Sequence, residues 1–117
     1  MKFMLLIYNN PAALPAGELE AISQDVDTLI EELQGSGELV GGDGLADSSL
    51  AKTVRVRDGA PATTDGPFLE AKEQLAGYLM VDVESLARAT EIAARWPDAR
   101  HGAMEVRAVM SAGADDV

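Results

Sequence analysis

The side chains best able to do chemistry crowd into one run, TDGPFLEAKE, residues 64–73. Asp65 offers a carboxylate on a turn that Gly66 and Pro67 make stiff, since glycine admits unusual backbone angles and proline fixes its own. Two readings of Asp65 stand side by side. It can accept backbone N–H groups and hold the turn, or it can serve as a general base at the mouth of a pocket, with Phe68 as an apolar wall. Glu70, Lys72 and Glu73 read either as a solvated charge run or as polar contacts for a ligand, with Lys72 neutralising an anion. The spacing of Asp65, Glu70 and Glu73 fits no recognised oxygen-ligand loop, so no metal site is expected.

Two further positions bear on the same chemistry. Glu105 and Arg107 are two apart on an expected strand, so they share a face, as a surface ion pair or as a ligand contact with Arg107 meeting an anionic group. Tyr8, ending the first expected strand, offers a phenol to the same space. His101 is the single histidine. Its ring suits proton transfer near neutrality, but its place between helix and strand fits a solvent-exposed loop.

The elements that must position these groups are legible in the hydrophobic pattern. Lys2–Tyr8 reads as a strand. Residues 16–35 carry Leu19, Ile22, Val26, Leu29, Ile30 and Leu33 at helical spacing, and Gly35 and Gly37 form the stop. A second strand follows at residues 38–45, interrupted by a bulge or bend within Gly41–Gly44. Thr53–Arg57 alternates valine with polar residues up to Asp58-Gly59, a favoured tight-turn pair, so a hairpin returns over Pro61–Thr64. Gln74–Val83 is a strand, Glu84–Arg95 a helix stopped by Pro97, and Met104–Met110 the last strand. The order β-α-β, hairpin, β-α-β is the ferredoxin-like split βαβ pattern with an antiparallel sheet. One domain over residues 1–110 and a short polar tail over 111–117 are expected in a chain of 117 residues.

That fold places both helices on one side of the sheet. The other side must then show Met4, Leu6 and Tyr8 from the first strand, with Ala76, Tyr78 and Met80 opposed to Leu75, Leu79 and Val81 in the other central strand. An apolar strip down an uncovered face calls for a cover, and a second copy packed sheet to sheet is the economical one. The alternative cover is a loop such as residues 9–15 folded over that face; a homodimer is the expectation.

Composition narrows the function. Nine Lys/Arg among twenty Asp/Glu, a formal net charge of −11, disfavour nucleic acid and anionic membranes as partners. With no cysteine, disulfide and thiolate chemistry are excluded, and a cytoplasmic setting is expected.

The run TDGPFLEAKEQLAGY, with KFMLLIY, TVRVRDG and EVRAV, resembles the YCII-related (YciI-like) family in its DGPF branch. The resemblance implies a dimeric α+β barrel of ferredoxin-like protomers. In better-understood relatives it implies an Arg-x-x-His histidine on the first helix paired with an aspartate; residues 16–35 hold neither arginine nor histidine. Ala108 stands where relatives usually have proline. The expected function is a homodimer binding a small organic molecule near the Asp65–Phe68 turn, without a cofactor. The alternative is a cofactor-independent hydrolase- or lyase-like enzyme in which Asp65 moves a proton.

Overall fold

The computed structural model describes residues 1–14 and 16–110; the polar tail expected over 111–117 lies outside them. Among the described residues six strands and three α-helices follow in chain order: β1 (Lys2–Asn9), α1 (Leu19–Ser36), β2 (Leu39–Gly44), β3 (Lys52–Arg57), β4 (Ala60–Asp65), β5 (Gln74–Asp82), α2 (Leu86–Arg95), α3 (Asp98–His101) and β6 (Ala103–Ala108). Four of the strands form an antiparallel sheet in the order β2-β5-β1-β6, and β3 pairs only with β4. This is the ferredoxin-like arrangement, with β1 and β5 central.

Local chemistry explains the boundaries. Gly37, at φ 80°, ends α1 in the left-handed conformation and donates its N–H to Gln34. Gly35, expected to share that task, stays helical. Ser85 caps α2 by accepting the Arg88 N–H at 3.1 Å. Asp58 and Gly59 both take positive φ, 52° and 77°, as the mirror-image turn of a two-residue hairpin requires. The expected loop before the last strand contains α3, with His101 at its end.

The core lies between sheet and helices. Phe3, Leu5, Ile7, Leu79 and Val81 point from the sheet into a layer with Leu29, Leu33, Ala89, Ile92 and Trp96. Only Leu29 and Leu33 of α1 are buried, and Leu19 is exposed, so the N-terminal half of that helix stands away from the sheet.

On the uncovered face, Met4 pairs with Met80 and Leu6 with Tyr78, as the alternation requires. Leu75 and Ala76 differ from expectation. The β1–β5 register shifts between Ile7 and Tyr8, so Leu75 sits opposite Tyr8 on the uncovered side and Ala76 packs against the core. One extra residue in a ladder reverses the faces of everything beyond it.

The β3–β4 hairpin is an arm. None of its residues is buried, and Val54 and Val56 are about 60% exposed. The protomer measures 48 × 44 × 18 Å with a radius of gyration of 16.2 Å, against roughly 13 Å for a compact chain of this length. No helix among the described residues is long and apolar enough to cross a membrane.

Candidate functional site

A cleft opens where the C-terminal end of β1 meets the start of β5. Two segments far apart in sequence wall it: Leu45–Ala51, which leads into the arm, and Pro67–Leu75, which leaves it. Between them lies a hollow of about 550 Å³ with Tyr8 on its lining. Leu50, Phe68 and Leu75 supply apolar surface, and Asp47, Glu73 and Gln74 supply polar atoms.

The walls are held by their own hydrogen bonds. The Gln74 amide donates to the carbonyls of Leu69 and Ala71, each at 2.9 Å, tying down the loop after Phe68. Asp47 accepts the Ser49 N–H at 3.0 Å and so caps the 3₁₀ turn at Ser48–Leu50. Those bonds from Ser49, through side chain and backbone, hold the Asp47 carboxyl below its usual range. The Arg55 guanidinium lies over the Phe68 ring, 4.9 Å from its centroid, a cation–π contact that links arm to cleft.

Of the residues singled out from the sequence, Tyr8, Phe68 and Glu73 come together on this cleft. Asp65 does not line it. Its carboxylate, 84% exposed, pairs with Lys52 across the hairpin. The turn itself is fastened by other groups: the Gly66 N–H donates to the Ala51 carbonyl at 2.8 Å, and the Thr53 hydroxyl donates to the Gly66 carbonyl at 2.8 Å. Glu70 and Lys72 are exposed on the following loop and do not line the cleft. Glu105 and Arg107 form an ion pair at 3.0 Å on the uncovered sheet face, opposite Leu6 and Met4. Asp47 and the Leu45–Ala51 wall carry no local signature that would have marked them. Among the described residues no cluster of His, Asp and Glu could hold a metal ion.

A second hollow, about 580 Å³, lies on the helix side between α1 and β2. It exists partly because Gly41 and Gly44 bring no side chain into open space. At its end Asn9 donates to Asp98 at 2.9 Å, so those two groups satisfy each other. The cleft beside Tyr8 has one Asp47 oxygen engaged by Ser49, while Glu73 on its lining joins no ion pair among the described residues.

The family model of the YCII-related domain matches residues 1–112. The chain belongs to the YCII-related family. An uncharacterised protein from Rhizobium meliloti is 31% identical over 112 residues, covering 92% of this chain and 90% of its own. Among solved structures, a 5-chloro-2-hydroxyhydroquinone dehydrochlorinase from Burkholderia phenoliruptrix, in complex with 2,5-dihydroxybenzoquinone, is similar over 92% of this chain and 91% of that one. The identity there is 14% and the TM-score 0.49, too distant to carry substrate or mechanism across.

Proposed function

We propose that this YCII-related protein, of the DGPF branch, is a cytoplasmic homodimer that binds a small organic molecule in the cleft beside Tyr8 and Phe68. The observation that carries the reading is the cleft itself. Its size falls within the range of small-molecule sites, and it sets apolar side chains around a few polar ones, Asp47, Glu73 and Gln74.

Dimerisation is supported by two features of the protomer. The uncovered face presents Met4, Leu6, Tyr78 and Met80 as a half-buried strip, and the arm projects without a core of its own. A two-stranded hairpin is marginal alone in water, and an apolar strip of this kind favours association. Tyr8 belongs to both the strip and the cleft, so a partner on that face would border the site. The placement of Asp65 favours binding over the alternative of an Asp65-dependent enzyme, since its carboxylate is engaged by Lys52 outside the cleft.

Titration with the uncharged fluorophore N-phenyl-1-naphthylamine tests the cleft. Saturable binding near one per protomer, weakened roughly fivefold or more by Phe68→Ala, is expected from the lost aromatic contact. Binding that does not saturate, or that Phe68→Ala leaves unchanged, would remove the reading.

A further inference from the structure

Within the cleft, the census of hydrogen-bonding groups is lopsided. Both N–H bonds of the Gln74 amide are spent on Leu69 and Ala71, leaving its oxygen as the group on offer. Asp47 uses Oδ2 on Ser49 and keeps Oδ1. Glu73 takes part in none of the ion pairs among the described residues. No lysine, arginine or histidine lines the hollow. Among the lining side chains, the free acceptors therefore outnumber the free donors, which are the Tyr8 and Ser48 hydroxyls.

The apolar part of the lining adds a second, independent preference. Tyr8 and Phe68 both reach the cleft, and the negative face of an aromatic ring attracts cations. Phe68 already displays this, for Arg55 lies over its ring. The two carboxylates on the hollow, Asp47 and Glu73, outnumber the one guanidinium beside it, Arg55 over Phe68, so in a chain of net charge −11 the balance favours a cation that carries an apolar body over an anion.

We propose that the ligand of this cleft is an organic cation, a protonated or quaternary amine on an apolar or aromatic body, with Glu73 as its counter-charge and Tyr8 and Phe68 as its aromatic contacts. The inference rests on the cleft being the binding site, and it adds the chemical class of what binds. It also excludes the carboxylate ligand that Lys72 and Arg107 suggest from sequence, because neither side chain lines the hollow.

Three probes that share a benzyl or phenyl body separate the outcomes: benzyltrimethylammonium, benzyl alcohol and benzoate, titrated by calorimetry against the full chain at neutral pH. The expected order is cation over alcohol by about tenfold, with benzoate weakest. Glu73→Gln should remove most of the cation's advantage and leave benzyl alcohol unchanged. Glu20→Gln removes the same charge from the exposed surface of α1 and should alter neither. Equal or better binding of the alcohol or of benzoate overturns the ligand class while the cleft stands. A cation preference that survives Glu73→Gln, or falls equally with Glu20→Gln, reflects net charge alone and overturns the assignment too. If none of the three binds, the cleft and its ligand class fail together.

Discussion

The Arg88 guanidinium grips both oxygens of Glu38, Nε to Oε2 at 2.8 Å and Nη2 to Oε1 at 2.9 Å, across 50 residues of sequence. The Ser36 hydroxyl adds a bond to Oε1 at 2.9 Å. This forked pair fastens the α1–β2 junction to α2, with both carboxylate oxygens engaged by one guanidinium.

Arg88 lowers the Glu38 carboxyl from 4.5 to about 2. A carboxyl depressed in the folded state stabilises the fold above its unfolded value, and that contribution drains away as pH falls from about 4.5 towards 2. Glu38→Gln should therefore cost on the order of 1 kcal/mol at pH 7, and the gap to wild type should narrow below pH ~4. Urea denaturation across that range checks it; a gap that stays constant would contradict the assignment.

Met80 and Leu79 are neighbours with opposite duties. Met80 faces the uncovered side and Leu79, 6% exposed, faces the helices. Met80→Lys should leave a folded monomer in sedimentation, whereas Leu79→Lys should unfold the chain by burying a charge, a cost of several kcal/mol. An intact dimer carrying Met80→Lys would rule out sheet-to-sheet assembly.

Asp65 and Thr53 divide the turn unequally. The Lys52–Asp65 pair is exposed at both ends, so Asp65→Asn should shift stability by less than about 0.5 kcal/mol. Thr53→Val deletes the half-buried bond to the Gly66 carbonyl and should cost about 1 kcal/mol. Thermal melts that rank them the other way would return the structural role to Asp65.

Gly102 is a packing constraint beside the cleft. A Cβ there would stand 2.1 Å from the Tyr8 carbonyl oxygen and 3.1 Å from Glu73 Oε2. Backbone cannot yield as a side-chain tip does, so Gly102→Ala should cost about 2 kcal/mol or more and disturb probe binding at Tyr8. Gly41→Ala, where nothing lies within 4 Å, is the control, and chemical denaturation of both compares them.

Much of this architecture follows from short-range pattern alone. Helical spacing in residues 19–33, alternation in β1, and Asp58-Gly59 each act over a few residues, so the elements and the two-sided apolar character of the central strands are readable without coordinates. Family membership is legible for the same reason, being carried by contiguous motifs. The cleft is not. It arises where Leu45–Ala51 and Pro67–Leu75 face each other around an unfilled space, and no local periodicity records what two distant segments leave empty. The side that Leu75 takes depended on a single register slip in the β1–β5 ladder, because strand faces alternate with every residue. Asp65 stood out by its neighbours in sequence, yet Glu73 is the one of the two on the lining of the hollow, since the chain turns between them and only the folded path decides which residue borders it.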